Sequence, residues 1–455
     1  MSTQTIFALI LFVITYVLMF TMQKLRPYVA VISACIFVAV GSLGVIQGFS
    51  YTVLDALKEI DWNVLLMISG TMGTVFFFIE SGMPDVMSDM VVSRAGTVRL
   101  MVLAMSLFAG IVSAFVDNVA TVLMIAPVAL AVCRSAKISP VPVIICIAIS
   151  SNLQGAATLV GDTTSILLAK QAEPDLDFMD FFFVNGDPGM FWITEAGALA
   201  AALIILWMFR HDNTPIEVKK SGVLKDKVPG ILLGLTIISL IAASAIPYKS
   251  DAAPGQIYKP EISNGIICMF YFLLAVIHQY RADKHSKNII RAFEEIDFYT
   301  LTLLCGLFVI IGGIERAGVI DMIGAGLASL SGDGSRASLF MIYTVIVWMS
   351  VAFSAVIDNI PYTATMLPVA EVVAVSLSAA GGIEIDPNLF YFGLMAGATL
   401  GGNITPIGAS ANITGIGILR KNGYEVKTWD FMRFSIPFTL AAVTTAYILI
   451  WIIYS

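Results

Sequence analysis

Two acidic pairs, Asp117-Asn118 and Asp358-Asn359, each interrupt a long run of apolar residues. Two further interruptions are rich in glycine and hydroxyl groups. One runs from Asn152 through Gly155, Thr158, Gly161, Asp162, Thr163 and Thr164 to Ser165, and the other from Gly401 through Asn403, Thr405 and Gly408 to Ser410 and Asn412. A helix broken in apolar surroundings leaves N–H groups free at one end and carbonyls free at the other. The N-terminal ends attract anions or oxygen-rich neutral solutes. The carbonyls, together with Asp, Asn, Ser and Thr oxygens, suit Na⁺, and a carboxylate in such a place can instead take up a proton. This chemistry makes substrate- or ion-binding candidates of Ser113, Asp117, Asn118, Thr121, Gly155, Thr158, Gly161, Asp162, Thr163, Ser354, Asp358, Asn359, Thr363, Asn403, Thr405, Gly408, Ser410 and Asn412. Na⁺ is expected at Asp117, Asn118, Thr158, Asp358, Asn359 and Asn403, with Na⁺ or H⁺ as the coupling ion and no other cofactor.

Plainer roles exist for the same residues. Asp117 and Asp358 can cap a returning half-helix, and Asp162 can cap a helix near the membrane edge. The glycines can be helix-packing positions. Glu80, Glu315 and Glu371 read as carboxylates at span ends.

The composition requires a membrane. Of 455 residues, 58% are hydrophobic and 13% charged, and the mean hydropathy is +0.89. The charged share is about half that of an average soluble protein, and a bilayer accommodates spans of roughly 20 apolar residues. The net charge of -7 is a poor guide to partners, and no basic tract would suit nucleic acid. The five cysteines form no C-x-x-C pair and read as small buried hydrophobes. The three histidines form no cluster with metal-ligand spacing. No nucleophile–base pair stands out, so an enzyme is not expected. Residues 5–20 lack a basic flank and a small-residue cleavage site, and read as a first membrane helix.

Lysine and arginine set the expected orientation. If Lys24 and Arg26 are cytoplasmic, alternating spans leave only Lys58, Lys170, Lys249, Lys259, Arg316 and Arg336 outside, so 19 of the 25 basic residues lie inside. The acidic stretch Glu173 to Asp180 falls outside, Lys219–Lys227 falls inside, and both termini fall outside. The split holds only if residues 100–133 and 337–377 each return to the side they entered. A continuous helix over 100–133 would be about 50 Å long, too long for one crossing. Two arms, Leu100–Phe115 and Val119–Val132, therefore meet at Val116-Asp117-Asn118.

The halves of the chain are related. Ile60-Asp61-Trp62 recurs as Ile296-Asp297-Phe298, and Gly70, Gly82 and Asp85 recur at the same 236-residue offset as Gly306, Gly318 and Asp321. Ser-Ala-Phe-Val-Asp-Asn at 113–118 recurs as Ser-Ala-Val-Ile-Asp-Asn at 354–359, and Gly155, Thr158 and Gly161 match Gly402, Thr405 and Gly408. Repeat one starts on the expected outer side and repeat two on the inner, which is an inverted-topology arrangement. The expected fold is all-α and polytopic. Scaffold helices occupy 1–59. Repeat one occupies 60–209, with a re-entrant hairpin at 98–135 and an interrupted helix at 140–170. A cytoplasmic linker follows at 210–228 and further scaffold helices at 229–295. Repeat two occupies 296–455, with a hairpin at 336–377 and an interrupted helix at 389–419.

The paired segments Ser113 to Val128 and Ser354 to Val369 resemble the hairpins of the ion transporter superfamily, in particular its arsenite-permease, melanosomal P-protein and NhaD-type antiporter branch. The resemblance covers roughly residues 25–453. It implies a homodimeric scaffold, elevator-like movement of a transport domain, and hairpin tips at Asp117-Asn118 and Asp358-Asn359 that face substrate and ions. It implies interrupted helices at Thr158 to Ser165 and Asn403 to Asn412. One departure is Gly161-Asp162-Thr163-Thr164-Ser165, where arsenite-permease relatives usually carry Gly-Asp-Pro-Pro-Asn. The expectation is thus a secondary active transporter in a cell membrane, coupled to Na⁺ or H⁺. Its solute would be a small inorganic ion or oxyanion-like species, as in arsenite/antimonite efflux or Na⁺/H⁺ antiport. A Na⁺-coupled di- or tricarboxylate symporter is the alternative, although such a protein would be expected to carry Ser-Asn-Thr at the hairpin tips. An ion channel is the less favoured class.

Overall fold

The computed structural model describes residues 1–172, 175–216, 222–249, 256–283, 287–329, 335–381 and 385–455. Glu173, Lys219, Lys220 and Lys284, which enter the charge-based orientation, lie outside the described residues.

The chain opens with α1 (Thr3–Thr21), α2 (Arg26–Ser42) and the short α3 (Val53–Glu59). Then come α4 (Trp62–Glu80), α5 (Met83–Val92), the antiparallel arms α6 (Val98–Ser113) and α7 (Asn118–Ser135), the broken pair α8 (Val141–Gly155) and α9 (Thr163–Gln171), and α10 (Met190–Met208). The second half repeats that order. It contains α11 (Val228–Ser244), α12 (Ser263–Ala282), the short α13 (Lys287–Glu294), α14 (Phe298–Arg316), α15 (Val319–Ser329), arms α16 (Arg336–Ser354) and α17 (Asn359–Gly381), the broken pair α18 (Asn388–Met395) and α19 (Ser410–Lys421), and α20 (Thr428–Tyr454). The all-α expectation misses one small feature, a ribbon pairing β1 (Phe183–Val184) with β2 (Asp187–Pro188). Asn185 and Gly186 turn it with positive φ of 52° and 94°, the tight-turn chemistry that Asn-Gly favours.

The matching elements start and stop by matching devices. Asp61 accepts from the Val64 amide at 2.9 Å to begin α4, and Asp297 accepts from the Thr300 amide at 3.0 Å to begin α14. Gly82 and Gly318, with φ of 73° and 72°, turn the chain into α5 and α15, a backbone shape that a side chain resists. Among the described residues, nine helices are long and apolar enough to cross a membrane. The hairpin arm α6 falls short of that length: 16 residues give about 24 Å against a hydrocarbon core of about 30 Å.

Packing couples each half to the other. Gly70 and Gly73 let α4 lie against Cys268 and Phe272 of α12, and Gly306 and Gly313 let α14 lie against Ala30 and Phe37 of α2. The helices preceding one half thus support the other half. Polar contacts also gather the helix ends into two groups. Arg316, at the end of α14, meets Glu59 just before α4 at 3.2 Å. Arg291, just before α14, meets Glu80 at the end of α4 at 3.4 Å. At the centre the two broken helices tie each other. The Asn152 side-chain amide donates to the Thr399 carbonyl at 2.8 Å, and that of Asn403 donates to the Ile149 carbonyl at 2.8 Å.

Candidate transport site

The breaks are built from the sequence upward. The last carbonyls of an α-helix lack intrahelical donors. At the end of α6, the Thr158 hydroxyl donates to the Ala114 carbonyl. At the end of α16, Thr405 donates to Ala355 in the same way, and Ser354 donates to the Ala398 carbonyl. A β-carbon on Gly161 would lie 2.5 Å from the Gly155 carbonyl oxygen and 2.9 Å from that of Ser113. On Gly408 it would lie 2.5 Å from the Gly402 carbonyl oxygen and 2.9 Å from that of Ser354. Both glycines are therefore required by close backbone approach, since each hairpin tip is pressed onto its own broken helix. The first break is approached through α-helix up to Gly155, whereas the second is approached through a turn of π-helix at Ala396–Leu400. Such turns often accompany functional sites.

The tips themselves differ. Asp117 caps α7, accepting from the Val119 and Ala120 amides at 2.9 and 3.1 Å, and among the described residues it has no basic partner. Asp358 accepts more weakly from the Ile360 amide at 3.3 Å, and its other oxygen pairs with Arg26 at 2.9 Å. Arg26 is buried and also donates from Nε to the Met19 carbonyl at 3.1 Å. Close by, Tyr16 of α1 donates to the Pro361 carbonyl at 2.7 Å. Hairpin two is thus fastened to α1 and α2, whereas the Asp117 carboxylate faces open space.

That space is a cavity of about 540 Å³ at the meeting of both hairpin tips and both breaks. Of the sequence-derived candidates, Asp117, Asn118, Gly161, Asp162, Thr163, Asn359 and Ser410 line it. Asp162 is buried and accepts from the Thr164 hydroxyl at 2.9 Å and from the Asn359 amide at 3.2 Å, linking the first break to the second tip. Asn118 donates to Asn152 at 3.0 Å.

The remaining candidates sit behind the cavity. Ser113 is buried against the Ser151 hydroxyl at 3.0 Å, and Thr121 leans toward the Val116 carbonyl at 3.4 Å. Gly155, Thr158, Ser354, Thr405 and Gly408 hold the breaks as described above. Asn412 donates to the Gly402 and Thr405 carbonyls at 3.1 and 3.0 Å. The oxygens of Thr363, Asn403 and Asn412 are buried without a hydrogen-bond partner among the described residues. Buried acceptors in that condition are costly and suit a small cation.

The cavity also has walls that the sequence reading did not assign to it. Thr71 and a row of apolar side chains from α4 form one side, and Glu294, Glu295 and Asp297 form an acidic edge before α14. Asp297 was legible only as a repeat marker. Its distance from the breaks in sequence hid its role at the cavity rim. Among the described lining residues there are five carboxylates (Asp117, Asp162, Glu294, Glu295 and Asp297) and no lysine, arginine or histidine. Among the described residues no group of three His, Cys, Asp or Glu side chains has the arrangement of a metal centre.

Comparison with known proteins agrees with this architecture. Residues 10–397 match the CitMHS citrate transporter family. An uncharacterized transporter of Mycobacterium tuberculosis is 28% identical over 99% of both chains. The human P protein is 27% identical over 89% of this chain, which spans 55% of that longer protein. Among solved structures, the Alcanivorax borkumensis YdaH transporter superposes with a TM-score of 0.57 at 17% identity, covering 86% of this chain and 84% of the other. The Neisseria gonorrhoeae MtrF structure, described as illuminating a class of antimetabolite efflux pumps, gives 0.53 at 15% identity. Both structural likenesses concern the fold. With two hairpins, two broken helices and one shared central cavity, the chain is a multi-pass membrane transporter and belongs to the CitMHS citrate transporter family.

Proposed function

We propose that the protein is a secondary active transporter whose central cavity binds a small solute under the control of Na⁺ or H⁺. The observation that carries this reading is the cavity itself, where five carboxylates and both hairpin tips meet with no basic side chain among the described lining residues. A bare oxyanion or tricarboxylate would meet no counter-charge there. A cation, a neutral hydroxylated species such as undissociated arsenite, or a carboxylate that brings its own cation suits the lining. Among the sequence-level alternatives this favours Na⁺/H⁺-type exchange or neutral-solute efflux over transport of a free carboxylate. Asp117 and Asp162 are the coupling carboxylates, and Asn403 and Asn412 offer the unpartnered oxygens of a second ion position.

The halves are read as inverted repeats, a reading supported by α4 beginning where α14 ends and ending where α14 begins. Hairpin two and its broken helix would move with hairpin one against α1, α2, α11 and α12 as an elevator-like unit, in a homodimer, and the Arg26–Asp358 pair of the state described would open in that movement. The acidic edge at Glu294 and Glu295 would be the cytoplasmic mouth of the state described. Purified protein in proteoliposomes tests the reading. An imposed Na⁺ or pH gradient should drive solute accumulation that collapses with the gradient. Flux that only dissipates a solute gradient, with no uphill component under either ion gradient, would mean a channel.

A further inference from the structure

The central cavity is far larger than an inorganic ion needs. A water-sized species takes about 10–15 Å³, whereas this cavity measures about 540 Å³, within the span of about 300–1,000 Å³ that small organic ligands use. Its walls also differ from one another. On one side α4 presents Ile68, Thr71, Met72, Val75, Phe76 and Ile79. Those positions recur every three to four residues and form one face of the helix. The opposite face is the one that Gly70 and Gly73 press against α12, so the stripe is left to the cavity. Thr71 adds little polarity, because its hydroxyl turns back to the Met67 carbonyl of its own helix at 2.8 Å. Leu123 of α7 and Phe298 at the start of α14 extend the apolar lining and are 48% and 60% exposed.

The charge lies elsewhere in the same cavity. Asp117 and Asp162 stand at the first hairpin tip and the first break, and Glu294, Glu295 and Asp297 stand at the rim. Arg291, which lies over the Phe76 ring at 5.5 Å, is taken up by Glu80 at 3.4 Å. An acidic mouth gathers cations and repels anions before they enter. A bare metal ion would use the carboxylates and leave the apolar wall wet. A neutral apolar solute would cover the wall and gain nothing from the acidic mouth.

We propose that the substrate of the central cavity is an organic cation with an apolar body. Its charged end lies at Asp117 and Asp162, and its body lies along the α4 stripe, where covering apolar surface contributes affinity in proportion to area. The proposal rests on the transporter reading above and narrows it to one class of solute. H⁺ or Na⁺ neutralises the same carboxylates, so coupling ion and substrate exclude each other, which is the condition for exchange.

The test measures equilibrium binding of radiolabelled benzyltrimethylammonium to the full chain purified in detergent. The charge of this probe is permanent, so its own protonation plays no part. Tetramethylammonium lacks the apolar body, benzamide lacks the charge, and benzoate reverses it. Benzyltrimethylammonium is expected to bind saturably and about 10-fold or more tighter than each of the three, measured by competition. The coupling ion, added as acid or as Na⁺, should displace it. Met72→Ser and Leu123→Ser should each weaken its binding about 10-fold while leaving that of tetramethylammonium unchanged. Leu123 is half-exposed, so its variant keeps the test if the Met72 variant fails to fold. No saturable binding, equal binding of benzamide or benzoate, or wall substitutions that affect both cations alike would overturn the proposal. Flux in proteoliposomes separates this outcome from the transporter reading. Gradient-driven Na⁺ or H⁺ flux without benzyltrimethylammonium binding would overturn the substrate class and keep the transporter. Binding with no uphill flux under either gradient would keep the class and overturn the transporter reading.

Discussion

Residues of the same type at equivalent positions do different work in the two halves. Asp117 and Asp358 are interchangeable in sequence, each followed by Asn and an apolar half-helix. In the folded chain Asp117 caps α7 with its carboxylate exposed to the cavity, whereas Asp358 is paired with Arg26. Asparagine caps almost as well as aspartate. Asp117→Asn is therefore expected to insert and fold while losing the response of flux to a Na⁺ or pH gradient. Asp358→Asn should retain that response better, because its charge is already balanced. The comparison is made with both variants in the same proteoliposome assay; equal loss in the two would show that Asp358, once released from Arg26, also takes part in coupling. Thr158 is a different case. Its hydroxyl closes the Ala114 carbonyl at the end of α6, so Thr158→Val should cost about 1–3 kcal/mol of stability. The readout is thermal unfolding in detergent, with Asn403→Leu as the companion that removes a tie between the broken helices.

Helices and hairpins were largely legible because length, breaks and repetition are local properties. The arms of hairpin one end within a few residues of where the Asp-Asn break placed them, and the glycines at 161 and 408 recur with the same backbone neighbours. Contacts that join distant segments were not legible. Nothing in the sequence around Arg26 announces a partner 332 residues away. Asp297 reaches the cavity rim only because α14 packs beside α4 and α2. The Arg26–Asp358 pair also gives a test at this scale. Removing one member of a fully buried pair strands the other charge and costs about 3–5 kcal/mol; the 10% and 15% side-chain exposure of this pair lowers that cost. Arg26→Gln should therefore destabilise the docking of hairpin two. Adding Asp358→Asn should recover most of the loss, a coupling read as a non-additive shift in unfolding temperature. Additive shifts would mean that the pair does not hold the hairpin.

At the scale of the whole molecule, two arguments bear on topology. One is the basic-residue count, which needs both hairpins to return to the side they entered. The other is the set of contacts between helix ends. The Val98 amide, entering hairpin one, donates to the Thr214 carbonyl beyond α10 at 3.1 Å. Arg134, leaving that hairpin, donates to Asn422 after α19 at 2.9 Å, and Phe209 stacks on Phe434 of α20. These ends therefore share one face. On the other face, Arg336 at the entry of hairpin two meets the C-terminal Ser455 at 3.1 Å, and Tyr454 donates to the Pro188 carbonyl at 2.9 Å. Thr5 near the N-terminus donates to the Ala317 carbonyl at 2.7 Å, on the side of Arg316 and Glu59. The contacts divide these ends into two faces, and the excess of lysine and arginine gives the expectation for which face is cytoplasmic. Reporters fused after Ser455 and inserted at Lys225 should accordingly read outside and cytoplasmic. Both reading the same side would break the two-face division itself. An exchange of the two readings would keep the division and reverse the orientation, moving the acidic cavity mouth at Glu294 and Glu295 to the outside.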